Sequence, residues 1–399
     1  MRTATIAALA VTLPLGAAPA PQSDDSLIAR GFEHFYNLEY DQAIADFRES
    51  TVRRPKEPAA YNHLAQAILY REMLRSGALE TELVSGNNPF LRRPKMNPSP
   101  EDQRQFDEAI ARSIKLSQAR LKEDARDTRA LYALGVAHGL RANYNFLVRK
   151  AWRDALRDAT AARKLHNKAT DLDPAFADAR LVQGAHEYVV GSLPWQWRLL
   201  GFLVGFRGNK DEGIRLLSTV AEKGRINNFD AKVLLCAVYR RERKPGLALP
   251  LVKDLIARFP RNYLLYFELS QMYSELGDKQ QALGALDELE RLRSSKAGGF
   301  TRLPPEKVCY ARGTVQFWYR DFDEALENMK KVAARADELD LNTAVMAWMR
   351  LGQIYDLKGQ RQPALAAYRR AIAMAPESDA ARESQRYLSR PYRRAGVKG

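Results

Sequence analysis

From Phe229 to Pro376 the apolar residues return in blocks, and inside each block they follow helical spacing twice. Tyr239, Tyr273 and Tyr355 each stand nine residues before an alanine (Ala248, Ala282, Ala364), and the first such pair recurs 34 residues on as the second. In Val345 to Ser378, the residues Trp348, Leu351, Gly352 and Tyr355 fall on one face of an amphipathic helix. Gly359 predicts the end of that helix, because without a Cβ it can enter a tight turn. Ala364, Tyr368 and Ala371 mark the stripe of a second helix, and Pro376 closes the unit. Small residues at Gly352 and Ala364 predict that the paired helices approach closely, since larger side chains would overpack the contact. One such hairpin leaves an apolar face uncovered, so units must stack into an all-α solenoid.

The residues Trp348, Leu351, Gly352, Tyr355, Ala364, Tyr368, Ala371 and Pro376 closely match the tetratricopeptide repeat, and this stretch resembles that family. The resemblance implies a right-handed superhelix of stacked antiparallel helix pairs. It further implies that positions two, five, nine, twelve and thirteen of each first helix line a concave face. It says little about activity, because the matched positions are packing positions and such arrays serve unrelated partners.

Along the chain, residues 1–20 read as an export signal: Arg2 gives a positive start, Thr3 to Leu15 is largely apolar, and Ala18-Pro19-Ala20 offers small residues for cleavage. The solenoid is expected over residues 21–389. Asp24 to Glu57 forms its first unit through Gly31, Tyr40, Ala43, Phe47 and Pro55, with His34 where the repeat carries tyrosine. Pro58 to about Arg75 starts a second unit, interrupted by an insertion at about 77–100 rich in glycine, asparagine and proline. Asp127 to Pro174 holds a unit with long helices, and the mixed charges of Arg149 to Lys168 read as a solvated face with ion pairs. Loop residues Ser294 to Pro305 separate two later units, Ser378 to Leu388 can cap the stack, and the basic tail 390–399 is expected to fray.

An apolar insertion at about 189–207 (VVGSLPWQWRLLGFLVGF through Phe206) carries one charge, Arg198, and the breakers Gly191, Pro194, Gly201 and Gly205. Those breakers argue against a membrane span. Trp195 and Trp197 suit a lipid interface, a partner contact or an internal anchor, and the sequence leaves these open. Gly205 to Gly213, within residues 190–217, resembles a turn found in a tetratricopeptide subfamily of mitochondrial outer-membrane proteins linked to lipid droplets. The export signal departs from those cytosol-facing relatives, so the resemblance carries fold and not role.

With 46% hydrophobic and 9% aromatic residues over 399, the chain can build an extended core. The formal charge of +15 is interspersed with acidic groups, which argues against a nucleic-acid partner. Cys236 and Cys309 fall on packing positions of separate units, reading as free thiols rather than a disulfide. The histidines His34, His63, His138, His166 and His186 show no zinc-binding spacing, and no nucleophile motif occurs. The expectation is a protein that is not an enzyme and uses no cofactor or metal.

The concave positions remain. Arg240, Arg241 and Lys307 beside Phe267, Tyr310, Phe317 and Trp318 suit an extended peptide with acidic and apolar groups, or Phe317 and Trp318 pack on the next unit instead. The leading expectation is an exported interaction scaffold of the cell envelope, periplasmic or secreted. Two alternatives stand beside it: a structural component at a membrane surface, and a hydrophobic solute-binding accessory protein for a transporter. Oligomeric state is left open.

Overall fold

The computed structural model describes residues 24–79, 96–193 and 208–394. Among them are seventeen α-helices, no β-strand, and short 3-10 and π turns. They form eight consecutive pairs: α1 (Asp24–Tyr36) with α2 (Tyr40–Arg53), α3 (Pro58–Arg75) with α4 (Pro100–Glu123), α5 (Thr128–Tyr144) with α6 (Trp152–Leu172), and α7 (Arg180–Gly191) with α8 (Lys210–Lys223). Then follow α9 (Asn228–Arg241) with α10 (Pro245–Arg258), α11 (Tyr263–Glu275) with α12 (Lys279–Ser294), α13 (Pro305–Trp318) with α14 (Phe322–Ala334), and α15 (Leu341–Leu357) with α16 (Arg361–Met374). The second helix of each pair also packs on the first helix of the next, and α17 (Asp379–Ser389) covers α15 and α16 at the end of the stack.

Local chemistry sets these boundaries. Asp127, Asn262, Asp278, Asp340 and Ser378 each accept a backbone N–H of the helix they precede, satisfying a donor that the first turn leaves open. Five of the turns between paired helices place a residue at positive φ in the same register: Leu38 (62°), Arg243 (57°), Gly277 (86°), Arg320 (70°) and Gly359 (73°). The turn geometry is therefore imposed by the packing of the pair, and glycine occupies it in only two of these cases.

Ala43, Ala248, Ala282, Ala325 and Ala364 are all fully buried at the corresponding point of the second helix. The next turn of those helices supplies Phe47, Val252, Leu286, Met329 and Tyr368, also fully buried. A Cβ added at Gly352 would sit 2.4 Å from the Tyr368 ring, so the ring occupies the space the glycine leaves. Trp348 and Tyr355 are partly buried against the same core.

One expectation is corrected, the fraying of the basic end, and two features are added to the sequence reading. Residues 189–191 belong to α7, so the apolar stretch begins inside a helix and then connects the two members of the fourth pair. Gly208 returns against Gly191, where a Cβ would meet the Gly191 nitrogen at 2.5 Å. The basic end is also tied down as far as Arg394: Tyr392 N–H donates to Asp356 Oδ2 at 2.7 Å, and Arg394 donates to the carbonyls of Phe317 (3.3 Å) and Trp318 (3.0 Å). Finally, α5 ends in a π-helical turn, Asn145–Arg149, that helical spacing alone does not reveal. Trp195, Trp197, residues 1–20 and most of the insertion at 77–100 lie outside the described residues.

Candidate functional site

The stack turns back on itself. Tyr36, at the end of α1, donates its hydroxyl to Asp230 Oδ2 on α9 at 3.0 Å, and its ring lies 4.8 Å from that of Phe259 and 5.5 Å from that of Phe229. Arg261 N–H donates to Asn37 Oδ1 at 2.9 Å, its guanidinium binds Glu39 at 2.8 Å, and the Asn262 amide donates to the Tyr36 carbonyl at 2.7 Å. Leu38 and Leu74 pack into the core around Tyr263 and Tyr266. The first two helix pairs thus meet the fifth and sixth, and the inner face becomes the wall of a chamber.

That chamber is a single cavity of about 2840 Å³, lined by residues from every helix pair and chiefly apolar. It exceeds the roughly 300–1,000 Å³ of an ordinary small-molecule pocket. Of the concave positions expected from the later repeats, Arg240, Phe267, Lys307, Tyr310 and Trp318 line it. Arg241 is exposed away from it. Phe317 is fully buried and faces Phe322, Tyr392 and the Arg350 guanidinium, which lies 4.1 Å from its ring centre. It is a packing residue, and not part of the wall. Trp318, 52% exposed, lies between the cavity and the docked C-terminal segment.

The cations of this set are already neutralised. Arg240 bridges Glu268 and Glu275, each at 2.8 Å, and Lys307 pairs with Asp340 at 2.9 Å. Burial raises the Glu268 carboxyl although Arg240 opposes the shift, whereas the Asp340 carboxyl is lowered because Lys307 and Thr343 outweigh its burial. Gln271 Oε1 on α11, Thr314 Oγ1 on α13 and His63 Nδ1 on α3 belong to lining residues but are themselves buried, without a hydrogen-bond partner among the described residues.

The first two pairs contribute as much wall as the later ones. Ile28, Phe32, Phe35 and Tyr36 from α1, and Asn62, Gln66 and Tyr70 from α3, face the cavity. Extending the five-position concave rule to these helices gives the same residues, so the signal was present; only the irregular surroundings of the first units hid it.

Several groups that could suggest chemistry have structural explanations. His63 and His166 are pushed down to about 4 by burial, and His166 fills the space beside Gly135. Asp158 is held low because Arg141 and His138 outweigh its burial, with Asn145 as a further donor. Cys236 is pushed up to about 12 by burial, so its thiol stays protonated, and both cysteines are free. Among the described residues no group of three or more His, Cys, Asp or Glu could hold a metal ion, and no helix is long and apolar enough to cross a membrane.

Comparison with known proteins bears on the repeats. Tetratricopeptide repeat profiles match residues 238–297 and 347–378. No curated protein matches the chain by sequence. Yeast Tom70 is similar over 92% of this chain and 95% of its own, at 12% identity and a TM-score of 0.42. A Rap protein complexed with Competence and Sporulation Factor is similar over 89% of this chain and 76% of its own, at 15% identity and a TM-score of 0.41. For human IFIT1, in a dimer with a capped RNA, the figures are 93%, 88%, 13% and 0.45. Nothing among them ties residues 190–217 to the mitochondrial outer-membrane subfamily linked to lipid droplets.

Proposed function

We propose that this chain, whose residues 238–297 and 347–378 match tetratricopeptide repeat profiles, is an interaction scaffold that holds an extended segment of a protein partner inside its chamber. The observation that carries this reading is a chiefly apolar wall, built by every helix pair, that polar residues such as Gln66, Asn143 and Gln271 interrupt. An extended peptide offers main-chain groups for these amides and apolar side chains for the wall. Since Arg240 and Lys307 already have carboxylate partners, apolar anchoring beside Tyr310 and Trp318 contributes more than an acidic group of the partner. The resemblance of residues 1–20 to an export leader supports a cell-envelope location for this scaffold, periplasmic or secreted.

The test is affinity capture from envelope extract with the mature chain. Capture of a defined partner is expected to fall in Thr314→Arg, which fills the wall, and in Trp318→Ala, while Arg241→Glu leaves it unchanged. Equal capture by all three would remove the chamber as the binding surface.

A second reading, the binding of a hydrophobic solute for handover to a transporter, is favoured by the apolar character and size of the same chamber. Native mass spectrometry of protein purified without detergent would show such a cargo as added mass, and bare protein in every preparation would end that reading. The membrane-surface reading rests on Trp195 and Trp197, and flotation of the mature protein with liposomes decides it.

A further inference from the structure

Among the described residues, several buried and half-buried carboxylates have cationic partners: Asp46 has Arg30, Asp102 has Arg71, Asp158 has Arg141, Glu268 has Arg240, Asp340 has Lys307 and Asp356 has Arg361. Asp178, which has no ion pair, accepts three backbone N–H groups instead, from Arg225, Ile226 and Asn227. Asp230 has no such partner. It lines the chamber, its one side-chain hydrogen bond comes from the neutral Tyr36 hydroxyl, and among the described residues no Lys, Arg or His pairs with it. Burying a carboxylate without a counter-charge is costly, which is why such groups are ordinarily paired, and Asp230 is half-buried.

Its surroundings are aromatic. Tyr36 and Phe229 stand beside it, and the wall continues through Phe32, Phe259, Tyr70 and Tyr132. Burial raises the pKa of the Tyr36, Tyr70 and Tyr132 hydroxyls, and the negative charge of Asp230 adds to that rise. Burial pushes the Asp230 carboxyl up to about 6, while the Tyr36 hydrogen bond and the place of Asp230 in the first turn of α9 act the other way, toward the ionised form. Aromatic faces attract cations but not anions, and a carboxylate among them adds the matching charge.

We propose that Asp230, with the aromatic wall around Tyr36 and Phe229, is a binding site for an organic ammonium group. The cation ion-pairs with the free edge of the carboxylate and rests against the rings. It arrives either on a small amine or as a lysine side chain of an inserted peptide, and the chemistry of recognition is the same. This site does not depend on the scaffold reading above, because a free amine needs no protein partner.

Isothermal titration calorimetry on the full mature protein tests it, with benzyltrimethylammonium and a lysine-containing tripeptide as probes, and benzoate and the norleucine tripeptide as controls. The ammonium probes are expected to bind while the controls do not, and Asp230→Asn, which keeps an acceptor for the Tyr36 hydroxyl, is expected to weaken binding roughly tenfold or more. Asp230→Glu retains the charge and is expected to retain binding. Binding of the tripeptide without the free amine assigns the ammonium to a peptide, and binding of the amine assigns it to a small molecule; either supports the site. Absence of binding by both probes, or equal binding by wild type and a folded Asp230→Asn protein, overturns it. Should Asp230→Asn fail to fold, Tyr36→Phe decides: it frees the carboxylate and keeps the ring, so loss of ammonium binding in that folded variant overturns the proposal.

Discussion

The Tyr36 hydroxyl donates to Asp230 across 3.0 Å, joining helices that lie 194 positions apart in the chain. In a simple solenoid each unit meets only its neighbours. Here this contact, with the Arg261 clamp beside it, closes the inner face into a chamber, and the closure decides what can enter. Access to the wall from outside then depends on how firmly the first pair is held to the fifth and sixth.

The clamp can be loosened without touching the wall chemistry. Arg261→Ala removes the guanidinium contacts to Glu39 and Glu33 while leaving the backbone N–H to Asn37 in place. A loss of about 1–2 kcal/mol is expected, consistent with charge-assisted hydrogen bonds at partly exposed positions. Hydrogen exchange should accelerate in α1 and α2 before it does in α15 and α16, and the radius of gyration from small-angle scattering should rise. Uniform exchange with an unchanged radius would mean that the clamp does not hold the closure.

Close approach within a pair predicts a different kind of damage. In Gly352→Ala the new methyl would meet the Tyr368 ring at 2.4 Å, and that ring is fixed by its hydroxyl bond to Asp356 at 2.9 Å. Overpacking should destabilise the chain by about 1–3 kcal/mol, read as a lower denaturation midpoint. An unchanged midpoint would show that Tyr368 can move aside.

The buried histidines give the acid response a sign. His63 and His166 titrate near 4 in the folded chain because burial disfavours their charged form, whereas unfolded histidine titrates near 6.5. Between these values the unfolded chain binds the extra protons, so stability falls as pH drops from about 6.5 to 4. Asp230 acts in the opposite sense. Burial pushes it up to about 6, so its protonation favours the folded chain below that value, and the benefit is lost as pH rises through 6. Denaturation midpoints across this range should therefore fall toward acid, more steeply in Asp230→Asn and less steeply in His63→Gln. The reverse order would contradict both assignments.

Removal of the chain beyond Arg390 should uncover the last repeats. The Tyr392 and Arg394 hydrogen bonds to Asp356, Phe317 and Trp318 are lost, along with the Tyr392 ring beside Phe317 and the Arg394 guanidinium 5.4 Å from the Trp318 ring. A stability loss of about 1–2 kcal/mol and a change in tryptophan fluorescence are expected. If both stay constant, the docked segment contributes nothing to the end of the stack.

Helical periodicity in the amino-acid sequence is enough to give the regular helix pairs of the later repeats and their buried faces. Spacing at Trp348, Leu351, Tyr355, Ala364 and Tyr368 reports local periodicity, and packing between sequence neighbours follows from it. It also placed Arg240, Phe267, Lys307, Tyr310 and Trp318 on the inner wall, because one rule of helical register serves every unit. Long-range packing is what turns Phe317 into the core, pairs Arg240 and Lys307 with carboxylates and brings Tyr36 to Asp230. Those outcomes depend on the small rotation between successive pairs, summed over several units until distant helices touch. No local pattern of residues encodes that sum.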